Sequence, residues 1–146
     1  MSGFLLDTNV ISEVVNPAGP EPAVVAWLES ADPKRLFVSV LTFGEIRRGI
    51  EKLPEGRRKR ELQNWLETSV ASWFGDDQIL PVTRGIAEGW AVLWARLRRE
   101  GFQISTEDGL IAATALAHEL TIVTRNVKHF AAVGVPIVNP WDANDG

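Results

Sequence analysis

Three acidic side chains stand in settings that a surface carboxylate does not need. Asp7 ends the apolar run Gly3-Phe4-Leu5-Leu6. That run reads as a buried strand, which puts the carboxylate at the strand's carboxyl end. Glu45 lies in a helical stretch beside Ile46, where Phe43, Ile46, Ile50 and Leu53 step by three and four along one apolar face. Its neighbours Gly44 and Gly49 each cost a helix interior about 1 kcal/mol against Ala, so they are expected to let a backbone or ligand come close. Asp108 falls in the first turn of a helix with small residues at Gly109, Ala112, Ala113, Ala115 and Ala117. Such a helix packs closely on a sheet and holds its N-terminus rigidly. Each acid also has an ordinary explanation. Asp7 suits a helix N-cap. Glu45 could pair with Arg48 at i,i+3 for about 0.2–0.5 kcal/mol. Ser105-Thr106-Glu107-Asp108 approximates a capping box with Asp at its fourth position, where the helix dipole favours an acid.

Brought together, such acids would form a site for Mg²⁺ or Mn²⁺, hard ions that prefer oxygen donors. An ion of this kind activates water and clamps a phosphodiester for hydrolysis. Unit charges ~4 Å apart repel by about 4 kcal/mol at an effective dielectric of ~20, so a bound cation is expected to raise the melting temperature. The chain has no cysteine and only His118 and His129 as histidines, which excludes a thiolate metal site, a cysteine nucleophile, a disulfide scaffold and a His-rich centre.

The elements that would position these acids alternate. Strands are expected over 3–7, 36–38, 79–82, 121–124 and 135–138. Helices are expected over 9–15, 22–31, 39–53, 57–74, 83–100 and 105–119, with a loop at Asn16-Pro17-Ala18-Gly19-Pro20-Glu21-Pro22. Strands separated by helices imply an α/β fold with a central parallel sheet covered on both faces. Sites in such sheets form beyond the carboxyl ends of the strands. The 146 residues suggest one domain, 1–141, with a short tail over 142–146. No apolar run is long enough for a membrane span and no signal peptide is evident; a reducing cytoplasm is the compatible setting.

The net charge is −4, so nucleic acid would have to be held by a local patch rather than by bulk charge. One candidate exists. Between Arg47 and Arg60 stand Arg47, Arg48, Lys52, Arg57, Arg58, Lys59 and Arg60 against only Glu51 and Glu55, a local +5 that leaves −9 for the rest of the chain. A solvated helix face would look the same. There are six tryptophans. Trp65, Trp73, Trp90 and Trp94 suit core packing first and an interface second.

Four segments in order, Phe4-Leu5-Leu6-Asp7-Thr8-Asn9-Val10-Ile11, Ser39-Val40-Leu41-Thr42-Phe43-Gly44-Glu45-Ile46, Asp108-Gly109-Leu110-Ile111-Ala112-Ala113-Thr114-Ala115 and Thr124-Arg125-Asn126 with Asn139-Pro140-Trp141, resemble the PIN-domain family and within it the VapC and FitB toxins of bacterial toxin–antitoxin pairs. The resemblance implies a three-layer α/β/α domain and a Mg²⁺- or Mn²⁺-dependent endoribonuclease. It also implies RNA as substrate, homodimers, and a cognate antitoxin with which the toxin forms a hetero-oligomer. It places Asp7, Glu45 and Asp108 on three acidic positions. Asn126 holds the fourth, where the family has Asp, and offers a neutral carbonyl; Glu107 could partly substitute. Some relatives carry an Asp three residues further on, where this chain has His129. Thr8, Asn9, Ser39 and Thr124 could orient waters or ligands around the acids, or serve as caps and turns. Asn126 and His129 in place of acids motivate a second reading, a catalytically weak RNA- or antitoxin-binding module. Carboxylate–metal sites do not distinguish ribose from deoxyribose, so a DNA-directed nuclease also stays open. A haloacid-dehalogenase-like phosphatase would need an Asp where Asn9 stands.

Overall fold

A computed structural model describes residues 3–142. Met1, Ser2 and residues 143–146, most of the expected tail, lie outside the described residues. Strands β1 (Phe4–Leu6), β2 (Leu36–Ser39), β3 (Ile79–Leu80), β4 (Thr121–Val123) and β5 (Ile137–Val138) form one sheet in the order β3-β2-β1-β4-β5, with every pairing parallel. Helices α1 (Thr8–Glu13), α2 (Pro22–Ser30), α3 (Val40–Glu51), α4 (Arg57–Asn64), α5 (Arg84–Arg99), α6 (Thr106–His118) and α7 (Val127–Phe130) connect and cover it. No helix among the described residues is long and apolar enough to cross a membrane.

Two-residue periodicity divides the core. Leu5, Leu80 and Ile122 point to one face, where they pack with Leu93 and Leu97 of α5, Ile111 and Ala115 of α6, and Phe130 of α7. Leu6, Val38 and Val123 point to the other, against Val10 and Ile11 of α1, Val24 of α2, Ile46 and Ile50 of α3, and the segment carrying Leu66, Val70 and Phe74. Strands buried on both faces read as continuous apolar runs, which is how β1, β2 and β4 read.

Most element boundaries agree with the sequence to within a few residues, and the departures have physical reasons. The strands expected over 79–82 and 135–138 each shrink to two residues, because Pro81 and Pro136 have no N–H for a sheet ladder. The single helix expected over 57–74 is interrupted: α4 runs into a π-helical stretch, Trp65–Val70. Its apolar residues Leu62, Leu66, Val70 and Phe74 recur at every fourth position. In an α-helix that spacing drifts by about 40° per step; a wider i→i+5 turn reverses the drift and keeps the row on the core. Short elements absent from the sequence reading are the 3-10 turns at Pro33–Arg35 and Asp76–Gln78 and helix α7.

Gly44 and Gly49 do not serve a close approach as expected. A Cβ at either position would meet nothing within 4 Å. The close approach is at Gly109, where an added Cβ would lie 2.6 Å from Trp90 Cδ1 and 2.7 Å from Trp90 Nε1. Trp90 on α5 therefore lies directly against the first turn of α6. The tryptophans divide accordingly. Trp65 and Trp90 are partly buried, whereas Trp73 and Trp94 are 39% and 43% exposed, the latter under the Arg98 guanidinium at 5.2 Å.

Gly109→Ala is expected to destabilise the protein by about 1–3 kcal/mol through overpacking. Gly44→Ala, at an open helix position, should stabilise it by up to about 1 kcal/mol. Urea unfolding midpoints of the two variants check both signs.

Candidate active site

Strand order places the site. β1 and β4 are neighbours although their sequence positions are far apart, so the sheet reverses its strand order between them, the place where ligand crevices open in parallel sheets. Leu6 is in register with Val123, and the Asp7 N–H extends the ladder to the Val123 carbonyl at 3.0 Å. Asp7 and Thr124 therefore leave the sheet side by side. Thr124 Oγ1 donates to Asp7 Oδ2 at 2.8 Å, and Asp7 Oδ1 accepts the Thr8 N–H at 2.9 Å. Asn9 Nδ2 reaches Asp7 Oδ2 at 3.2 Å and Thr124 Oγ1 at 3.3 Å, and Asn9 Oδ1 accepts the Arg125 N–H at 3.2 Å. Asp7 is both the N-cap of α1 and the buried acid of the site.

Glu45 arrives on α3, which follows β2. It does not pair with Arg48. Its Oε1 accepts from Thr8 Oγ1 at 2.8 Å, so Thr8 touches two acids, Asp7 through its backbone and Glu45 through its hydroxyl. Asp108 arrives on the first turn of α6. Ser105 Oγ accepts the Asp108 N–H at 3.1 Å as the N-cap, which leaves the Asp108 carboxylate free to face His129, whose Nδ1 lies 3.0 Å from Asp108 Oδ2.

Charge ties the acids together. Burial is the main cause that lifts the Asp7 carboxyl above its ordinary value, opposed by the bonds from Thr124, Thr8 and Asn9, with the Asp108 charge adding to the rise. Glu45 is lifted by burial first and then by Asp7, Asp108 and Glu107, against the Thr8 hydrogen bond. Among the described residues no Lys or Arg forms an ion pair with any of these acids.

The other sequence candidates take distinct places. Ser39 is fully buried and caps α3 by accepting the Leu41 N–H at 3.1 Å, away from the acids' hydrogen bonds. Thr8, Asn9 and Thr124 form the polar frame of the site. Asn126 contributes its backbone N–H to Thr124 Oγ1 at 3.0 Å, and its exposed side chain makes no hydrogen bond to another described residue. Glu107 is exposed and acts on Glu45 through its charge. Of the basic segment, Arg47 pairs with Glu67 at 2.9 Å, Lys59 is 6% exposed and pairs with Glu55 at 2.8 Å, and Arg58 donates to the Val15 carbonyl at 2.9 Å. Arg48, Lys52, Arg57 and Arg60 stay exposed. Arg48 and Lys52 follow Glu45 at intervals of three and four, so they continue its stripe along α3. The contact that sequence reasoning missed is His129 on Asp108. The sequence marks position 129 only as one where some relatives carry an Asp; that its imidazole meets Asp108 depends on the short helix α7, which the sequence reading does not include.

The donor set is carboxylate oxygens with no thiolate, the kind a hard divalent cation prefers, and burial first and neighbouring charge second raise the proton affinity of Asp7 and Glu45. Among the described residues no three His, Asp or Glu side chains converge into a ligating group as they stand. Thr8, Thr124, Asn9 and His129 hydrogen-bond the acids instead.

An all-parallel five-stranded sheet between helical layers, with acids gathered beyond its strand ends at the reversal of strand order, defines an α/β domain built to hold charge at one edge. The chain belongs to the PIN-domain family, whose model matches residues 4–136. It is similar to the VapC ribonuclease Y4jK of Sinorhizobium fredii, at 38% identity over 95% of this chain and 98% of that one. It is also similar to the toxin FitB of Neisseria gonorrhoeae, at 40% identity over 94% of this chain and 98% of that one. The crystal structure of FitAcB from Neisseria gonorrhoeae superposes with a TM-score of 0.89 and 40% identity, over 95% of this chain and 99% of that one.

Raised folded-state carboxyl values have a definite pH signature. Where Asp7 and Glu45 keep protons that the unfolded chain has released, the native state binds more protons, so stability falls as pH rises. The loss begins near their ordinary values of 3.8 and 4.5 and ends above the raised folded values. In metal-free buffer, Asp7→Asn is expected to make this decline shallower, as read from urea unfolding at a series of pH values.

Proposed function

We propose that the protein is a metal-dependent endoribonuclease toxin that hydrolyses phosphodiester bonds of RNA and is silenced by a cognate antitoxin. What supports this reading is that Asp7, Glu45 and Asp108, from three separate segments, act on one another electrostatically beyond the strand ends, with Thr8 bonded to both Asp7 and Glu45. The relatives' names agree with it: a VapC ribonuclease and a toxin, together with solved FitAB and VapBC complexes. The expected assemblies are a homodimer and a hetero-oligomer with the antitoxin.

Asp7, Glu45 and Asp108 would hold Mg²⁺ or Mn²⁺. When bound, the ion supplies an activated water and neutralises charge on the phosphoryl oxygens. The chain's own residues do the positioning. Thr124 and Asn9 fix the rotamer of Asp7, and Thr8 fixes Glu45 relative to it. The free amide of Asn126 lies beside this frame and can orient a water, and Glu107 adds negative charge. The exposed Arg48, Lys52, Arg57 and Arg60 offer charge to an RNA backbone, whereas Arg47, Arg58 and Lys59 are engaged within the fold.

Cleavage of single-stranded RNA in Mn²⁺ is expected to fall by at least about 100-fold in Asp7→Asn. Equal activity in wild type and variant would favour the binding-module reading, which Asn126 and His129 in place of acids support. For RNA binding, the double variant Arg48→Glu, Arg57→Glu should flatten the salt dependence by about 0.7 in log–log slope for each phosphate it no longer neutralises. Filter binding across a salt series measures the slope.

A further inference from the structure

We propose that Arg125 and Trp141 form a stacking platform for one nucleobase of the RNA beside the scissile phosphate, and that Glu13 and Glu21, in the same hollow, select a base with an amino group over uracil. The inference rests on the ribonuclease reading above and adds to it a base subsite and a preference.

The platform is fixed and unused by the fold. The Arg125 guanidinium lies over the Trp141 ring, 5.3 Å from its centroid, and forms no hydrogen bond or ion pair with another described residue. Its backbone is held, since the Arg125 N–H donates to Asn9 Oδ1 at 3.2 Å. Trp141 packs against the core that contains Val10 and Ile11, and its backbone N–H donates to Asn139 Oδ1 at 3.0 Å. An exposed arginine kept over an indole while all its donors stay free is placed for a ligand. Guanidinium and indole planes are the surfaces on which unpaired RNA bases stack.

The hollow beside the platform has a suitable size and place. Its volume is about 450 Å³, and Arg125, Trp141, Glu13 and the loop after α1 line it. That volume lies in the range of small-molecule sites. The loop is ordered from within: Glu13 Oε2 accepts from Asn16 Nδ2 at 3.1 Å and from the Glu21 N–H at 2.9 Å, and the Gly19 N–H returns to the Asn16 carbonyl at 2.9 Å. Arg125 directly follows Thr124, whose hydroxyl bonds Asp7, and Asn9 bonds both Asp7 and the Arg125 backbone. A strand whose phosphate meets the acids would therefore lay a neighbouring base over Arg125.

Charge decides what fits. A phosphate in the hollow would face Glu13 and Glu21, neither of which is ion-paired among the described residues. An arginine from a protein partner would face Arg125. A neutral, flat group with N–H donors suits both: its face lies on the cation and its edge donates to the acids. Glu and Asp carboxylates accept from the amino groups of bases, as they do from cytosine N4, and uracil has no amino group to offer.

The test uses the full chain in EDTA, which prevents cutting, with two single-stranded RNA probes: decauridylate and the same decamer carrying one central 2-aminopurine, a fluorescent base with an amino group. Wild type should bind the aminopurine decamer more tightly and dim its emission by stacking. Arg125→Ala should weaken that binding by roughly 5- to 150-fold, the span of one lost stack, and restore the emission. Trp141→Phe, which keeps a ring against the core, should weaken it less. Glu13→Gln with Glu21→Gln should erase the preference over decauridylate and leave the dimming in place. If the bound aminopurine stays bright, if Arg125→Ala behaves as wild type, or if both decamers bind wild type equally, the base subsite is overturned and the ribonuclease reading stands. If L-arginine amide displaces the aminopurine decamer and adenosine does not, the hollow takes a protein partner's arginine and the base assignment falls. If wild type binds neither decamer, the subsite is likewise overturned; if it also cleaves no RNA in Mn²⁺, the ribonuclease reading fails with it.

Discussion

The hydrogen bond from Thr124 to Asp7 is the constraint on which the site depends. It joins residues 117 positions apart in sequence, and it exists because two parallel strands end in register. Every further placement follows from that bond. Asn9 and Asn126 both use the Thr124 hydroxyl, Thr8 extends the frame from Asp7 to Glu45, and the Asn126 anchor sets the turn that brings His129 to Asp108. The apolar core on either side of β1 and β4 is what makes the register rigid. A one-residue slip would exchange Leu5 with Leu6 and Ile122 with Val123 between the two cores.

The site runs against the fold's own stability. Asp7 and Glu45 are buried or half-buried without a Lys or Arg partner among the described residues, so burial first and neighbouring acids second raise their proton affinity. The surrounding hydrogen bonds from Thr8, Asn9 and Thr124 counter this by favouring the ionised form. The remaining imbalance is what a cation would relieve. Strain of this kind at an otherwise well-packed domain edge is what distinguishes a binding centre from a set of helix caps, even where one residue, Asp7, serves as both.

Much of this was legible in the sequence, for identifiable reasons. The strands leading to Asp7 and Thr124 are uninterrupted apolar runs, and the helices carrying Glu45 and Asp108 have clear caps in Ser39 and Ser105. The three acids could be ranked because they follow or flank such elements. What stayed hidden depended on contacts across the chain. The Glu45 partner could be guessed locally as Arg48, yet the choice of Thr8 requires α1 to pack on α3. The glycines of α3 looked like places of close approach, but only the three-dimensional neighbour, Trp90 against Gly109, decides which glycine serves one. The basic segment was uniform in sequence and splits in the structure, because Lys59, Arg58 and Arg47 have found partners that sequence spacing does not reveal.

The outermost strands, β3 and β5, are two residues long and each is bounded by proline. Such borders leave almost no run of unpaired amides and carbonyls along the rim. A foreign extended segment would find little to zip onto, so templated growth of the sheet into fibrils or swapped dimers is disfavoured. Association with other chains is thereby steered toward the helical surfaces, where side chains rather than backbone decide who is accepted.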